Sequence, residues 1–145
     1  MRLTINTSVN SSMFKVKEGF TANLFVQLSP PFPSVELIQF DGCKMEDIVH
    51  VRLNFFLFKQ DWISKITEAT ETSNAWRFID KGTKLPFFLK TWAHQHVIEK
   101  AGETQSVIVD QITYSTGTLV TDCLLYPILY FQFWYRRPIY RRVFG

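Results

Sequence analysis

From Ile48 to Thr116 the chain alternates apolar and polar residues in runs parted by only a few residues, and that spacing decides most of the architecture. Residues 48–59 set Val49, Val51, Leu53, Phe55 and Leu57 against His50, Arg52 and Asn54. Residues 61–70 put Trp62, Ser64 and Ile66 on one side, and runs over 76–81, 87–100 and 104–116 follow. The breaks fall at Ser73-Asn74, at Gly82 to Pro86 and at Ala101-Gly102, residues suited to turns. Parallel neighbours need a crossover of about a dozen residues or more, so intervals this short predict antiparallel hairpins. With residues 2–9 and 35–41, which also alternate, the chain holds about seven strands.

A meander of that length curls, and its concave apolar face needs a cover. The late segment from Asp122 to Phe144 can supply it: it opens on an acid and closes on arginines, the polarity that the helix dipole favours. Its apolar residues surround nearly the whole helix, which predicts burial on several sides or contact with lipid. Pro127 and Pro138 are sites for a bend or break. After the first strand, Asn10-Ser11-Ser12 offers caps for a short helix over about 12–18, and Thr21 caps a second through about Leu28. Ser29-Pro30-Pro31-Phe32-Pro33 ends it. The expected fold is α+β: one domain over 1–145, with a curved antiparallel sheet wrapped around a long C-terminal helix and two short helices after strand one.

Hydrophobic residues make up 46% of the chain and aromatics 16%, with 14 Phe, which excludes a disordered polymer. Such a load suits a ring-lined cavity and equally a Phe-rich core. A net charge of +3 is too weak to indicate nucleic acid, and the only basic crowding is Arg136, Arg137, Arg141 and Arg142. Cys43 and Cys123 lie far apart without metal-ligand spacing, and residues 1–7 lack a signal-peptide run. Reduced thiols in a cytoplasmic protein are therefore expected. Residues 119–135 fall short of the roughly 20 needed to span a bilayer, and Asp122, Pro127 and Gln132 interrupt them.

Strand periodicity puts Trp92, His94, His96 and Ile98 on one face, and Ile108, Asp110, Ile112 and Tyr114 on one face of the next strand. A three-residue turn at Ala101-Gly102-Glu103 sets His94 opposite Asp110 and His96 opposite Ile108. Asp80, on the preceding strand with Trp76 and Phe78, joins from the other side. The His–Asp pair reads in three ways: a satisfied polar contact, an anchor for the head of an apolar guest, or a general base with its tautomer fixed by a carboxylate. His94-x-His96-x-x-Glu99 has a metal-like spacing, but period two turns Glu99 to the opposite face and His50 is the one remaining histidine. No metal or cofactor is expected on that ground. There is no Gly-rich phosphate loop and no Ser-His-Asp order.

The element order and several local segments resemble the START-like, Bet v 1-like helix-grip superfamily, also called SRPBCC, in its uncharacterised bacterial type. Asp41-Gly42 looks like its turn after strand two, and Trp62-Ile63-Ser64-Lys65-Ile66-Thr67-Glu68 is similar to its W-x-S-x-I-x-E strand. Phe78-Ile79-Asp80, Trp92-Ala93-His94-Gln95-His96 and Asp110-Gln111-Ile112-Thr113-Tyr114 resemble its F-x-D, W-x-H-x-H and D-x-I-x-Y segments, in family order. Tyr114-Ser115-Thr116-Gly117-Thr118 departs from the pattern, since members of this type often carry a proline there, and leaves the approach to the last helix open.

The resemblance implies an internal cavity more than a particular reaction. The function expected is non-catalytic binding or transport of a small hydrophobic molecule, lipid-like or polyketide-like. The expected lining is Val51, Leu53, Phe55, Trp62, Ile66, Phe78, Asp80, Trp92, His94, His96, Asp110 and Tyr114, with Leu125, Leu129 and Phe133 from the helix. One alternative is a cyclase- or dehydratase-like enzyme using His94 and Asp110. Another is a peripheral membrane or protein-interaction module that uses the aromatic C-terminal helix and its four arginines.

Overall fold

The computed structural model describes residues 1–145. One antiparallel sheet contains β1 (Arg2–Val9), β2 (Ser34–Phe40), β3 (Ile48–Asn54), β4 (Lys59–Glu71), β5 (Ala75–Lys84), β6 (Thr91–Gly102) and β7 (Gln105–Ser115). Its spatial order is β1-β7-β6-β5-β4-β3-β2, so every consecutive pair from β2 to β7 is a hairpin. Extra residues at Ile38, Thr67, Thr83 and Ala101 interrupt the registers as bulges. Bulges bend strands and raise their twist, which helps curl the sheet into a half-barrel. Helices α1 (Met13–Glu18) and α2 (Ala22–Gln27) follow β1, and α3 (Leu119–Trp134) and α4 (Arg136–Phe144) end the chain. This is the expected helix-grip architecture.

The caps are those the sequence offered: Ser12 Oγ accepts from Lys15 N at 3.2 Å and Thr21 Oγ1 from Leu24 N at 3.4 Å. Two strand ends differ. β3 stops at Asn54, whose side-chain oxygen accepts from Phe56 N at 2.9 Å and turns the chain. Phe56 adopts φ 72°, and Leu57, read as part of the strand, is 96% exposed at the hairpin tip. β6 begins at Thr91, leaving Phe87 and Phe88 in the connection after Pro86. Apolar residues ran through both turns, so alternation alone did not mark them.

The C-terminal helix is divided. Pro138 has no N–H for the carbonyl of Trp134, four residues back, and its ring crowds that oxygen. The break falls at Tyr135, whereas α3 continues through Pro127. The approach to α3 is set without a proline. Thr118 Oγ1 accepts from Thr121 N at 3.2 Å, Asp122 Oδ1 accepts from Thr116 N at 2.6 Å, and Gly117 takes φ 110°. Only one side of α3 is buried, through Leu129 and Phe133, while Leu124, Ile128 and Phe131 are exposed. No helix is long and apolar enough to cross a membrane.

The core falls into two clusters. One, containing Val9, Val16, Ile66, Phe78, Ile98, Ile108, Tyr140 and Phe144, lies under α1, α2 and α4. The other, containing Leu3, Ile5, Trp92, Ile112, Tyr114, Leu129 and Phe133, lies under α3. Gly19 is needed where the first cluster closes. A Cβ on it would stand 2.4 Å from Cε1 and 2.8 Å from Cζ of the buried Phe144 ring. Gly19→Ala is therefore expected to push the last turn of α4 outward at a cost of about 1–3 kcal/mol, measured as a lower midpoint in urea. A midpoint equal to that of the native protein would refute this packing.

Candidate functional site

Between the two apolar clusters the concave face carries a polar layer. Along β6 the inward residues read Trp92, His94, His96 and Ile98, and along β7 Ile108, Asp110, Ile112 and Tyr114. Each strand thus enters from one apolar cluster, crosses the layer and leaves into the other. Asp80 of β5 completes it from one side, and the fully buried Thr7 of β1 from the other.

The register differs from the expected one by two residues, because Ala101 bulges and Gly102 pairs with Gln105. A shift of two preserves the face and changes the partner. His96 is now opposite Asp110, and His94 is opposite Asp80 across the β5–β6 pair. The hydrogen bonds run diagonally instead. His94 Nε2 meets Asp110 Oδ1 at 2.8 Å, and His96 Nε2 meets Asp80 Oδ2 at 2.8 Å. The second approaches repeat this pattern: His94 Nδ1 to Asp80 Oδ2 is 3.7 Å, and His96 Nδ1 to Asp110 Oδ1 is 3.7 Å. The imidazoles lie 3.6 Å apart between centroids, and Phe78 stacks on His96 at 4.3 Å and 11°.

Arg136 is the cation of this layer. The break before α4 turns it inward, with its guanidinium 4.3 Å from the Phe133 ring and Nη1 3.9 Å from Asp110 Oδ1. It therefore does not belong to an outward basic patch with Arg141 and Arg142, which are exposed. The sequence reading missed it because a helix end ordinarily faces solvent.

Electrostatics follow from the geometry. Burial opposes the charge of Asp110, but the His94 hydrogen bond and the Arg136 guanidinium outweigh it and hold the carboxyl below its usual range. Burial likewise opposes the charge of Asp80, and the His96 hydrogen bond with the neighbouring imidazoles outweighs it. Burial, then the proximity of His96, pushes His94 down to about 4 against the pull of both carboxylates. A neutral His94 beside an ionised Asp110 donates from Nε2, so Nδ1 carries the lone pair. Three buried atoms of the layer, Thr7 Oγ1, His96 Nδ1 and Asp110 Oδ2, have no hydrogen-bond partner.

A cavity of about 500 Å³ opens on this layer. Among the residues expected to line it, Val51, Leu53, Phe55, Trp62, Ile66, Phe78, Asp80, Trp92, His94, His96, Leu125, Leu129 and Phe133 stand in its wall. Asp110 and Tyr114 do not. Both lie on β7, which packs beneath α3; Asp110 sits behind His94, and Tyr114 donates its hydroxyl to the Asp122 carbonyl at 2.6 Å. The wall also includes Phe20, Leu24, Phe25 and Leu28 from the α1–α2 region, Cys43, and Arg136 and Tyr140 from α4. The i, i+4 spacing of Leu24 and Leu28 was the available signal for the first group. Burial, then Asp80 and Asp47, pushes the Cys43 thiol up to about 12, so it is a protonated part of the apolar wall.

No family model and no curated protein matches the chain. Solved structures do. A norcoclaurine synthase from Thalictrum flavum is similar at 13% identity over 88% of this chain and 82% of its own, with a TM-score of 0.63. The Zhui aromatase/cyclase from Streptomyces sp. R1128 is similar at 12% identity over 84% of this chain and 72% of its own, with a TM-score of 0.60. Ara h 8.0201 is similar at 13% identity over 96% of both chains, with a TM-score of 0.58. The chain thus has the Bet v 1-like helix-grip fold. At such identities the likeness is one of fold alone.

Proposed function

We propose that this protein binds a small hydrophobic molecule with a polar head, and carries or presents it without altering it. The observation that supports this reading is the cavity itself: about 500 Å³, walled mainly by aliphatic and aromatic side chains, with Asp80, His94, His96 and Arg136 gathered on one side. Apolar walls with a few converging polar groups are the usual build of a small-molecule site. Both ring nitrogens of His94 are flanked by carboxylates, at 2.8 Å and 3.7 Å. The layer therefore reads first as a recognition wall, and binding is preferred to the proton transfer that a cyclase or dehydratase would need. A ring-bearing guest agrees with a norcoclaurine synthase of the same fold that was solved with dopamine and hydroxybenzaldehyde. Two free cysteines suit a reducing compartment such as the cytoplasm.

The probe 1-anilinonaphthalene-8-sulfonate, an apolar bicycle with an anionic head, tests the reading. It is expected to bind one per chain with saturable fluorescence. Val49→Trp, which fills the cavity from β3, is expected to weaken it at least tenfold while circular dichroism stays native. Equal binding by both proteins would place the probe elsewhere and count against the cavity.

A further inference from the structure

We propose that Asp80, His94 and His96 form a three-ligand site for a divalent transition-metal ion, zinc or one of its neighbours, whose remaining positions open into the cavity. The sequence reading sought a third ligand at Glu99; β5 supplies one instead. The ligand atoms of Asp80, His94 and His96 all lie within 4.8 Å of one another. Asp80 Oδ2 is 3.7 Å from His94 Nδ1 and 2.8 Å from His96 Nε2. Ligands about 2.1 Å from one tetrahedral ion stand about 3.4 Å apart. The two edges from Asp80 bracket that value and the third, between the imidazoles, is no longer than 4.8 Å, so side-chain rotations are needed to bring all three atoms onto one centre.

The surroundings are also those of a metal site. His94 Nε2 is engaged by Asp110 Oδ1 at 2.8 Å, which leaves Nδ1 for an ion. A carboxylate behind a ligating imidazole fixes its tautomer and raises its basicity. His96 Nδ1 has no hydrogen-bond partner and faces Asp110 Oδ1 at 3.7 Å. It can carry the ring proton when Nε2 turns from Asp80 to an ion. Two imidazoles and a carboxylate suit zinc, cobalt and ferrous iron, and three protein ligands leave room for water or a guest oxygen. Because Asp80, His94 and His96 all line the cavity, that oxygen would belong to whatever occupies it. The inference does not depend on a hydrophobic guest: a cavity that failed to bind the fluorescent probe would leave it standing.

The test is titration of chelator-treated native protein with Co²⁺ and Zn²⁺. Cobalt is expected to give the intense visible absorption of a four- or five-coordinate site at one ion per chain. Zinc is expected to displace it with micromolar or tighter affinity. His94→Ala and His96→Ala are each expected to weaken zinc at least a hundredfold. Asp110→Asn, which keeps all three ligands but replaces the carboxylate behind His94, is expected to weaken it about 10- to 100-fold. His50→Gln, at the separate His50–Asp61 contact, is expected to change nothing. Should the variants fold poorly, the imidazole ¹⁵N resonances of the native protein decide, since zinc must shift those of His94 and His96 and spare His50. Cobalt that stays octahedral and weakly absorbing, unmoved histidine resonances, or equal zinc affinity in native and His94→Ala proteins would overturn the proposal.

Discussion

Replacing Asp110 by leucine is expected to lower stability by about 3–5 kcal/mol, and adding Arg136→Leu is expected to restore part of that loss. Asp110 is fully buried, and the Arg136 side chain is 14% exposed. Without the carboxylate, the guanidinium loses its nearest anion and the His94 Nε2–H loses its acceptor at 2.8 Å. A buried charge whose partner is removed carries its full desolvation penalty, whereas removing both partners leaves an apolar contact. Stabilities of single domains run to only about 5–15 kcal/mol, so the single variant should show a much lower urea midpoint by tryptophan fluorescence. The double variant should lie closer to native than the sum of the two single changes. A single-variant loss below about 1 kcal/mol, or strict additivity, would mean that this pair does not hold α4 to the sheet.

The same residues show how far the sequence could be read. Strand periodicity placed His94, His96 and Asp110 on the concave face, and they are there because each is flanked by inward apolar residues two positions away. Periodicity carries no information on register, however. The turn that sets Gly102 opposite Gln105 and the bulge at Ala101 together moved the β6–β7 pairing by two, so the predicted direct His94–Asp110 pair became a diagonal one and His96 took the opposing place. Asp80 was legible only as a neighbour, because its role depends on the β5–β6 register, which sets it opposite His94, and alternation does not fix that register. Arg136 was not legible as a site residue. Its inward turn depends on Pro138 breaking the helix at Tyr135, and the sequence allowed a break at either proline. The hairpin tip from Phe55 to Phe58 shows the opposite failure: its residues are as apolar as a core strand, yet Asn54 turns the chain and Leu57 stands in solvent.

Phe78→Ala is expected to cost about 3–5 kcal/mol, near the upper end for a single core truncation. Phe78 is 3% exposed, lies flat on His96 at 4.3 Å, meets Trp76 at 4.9 Å, and has Phe20 edge-on at 6.1 Å. Removing the ring deletes a large apolar surface and the support beneath one imidazole. Those neighbours belong to β5, β6 and the α1–α2 connection, which cannot all collapse into the space. Phe131, at 58% exposure on the outer side of α3, is the contrast, since its truncation should change stability by no more than about 0.5 kcal/mol. Urea unfolding of both variants separates the cases, and similar losses would deny that Phe78 anchors the core. Because Phe78 also lines the cavity, its removal should enlarge that space while leaving Asp80, His94 and His96 in the wall. Where the variant is folded, it should therefore still take up the anionic naphthalene probe. Stability lost with binding kept would separate the aromatic packing that supports the polar layer from the recognition proposed for it.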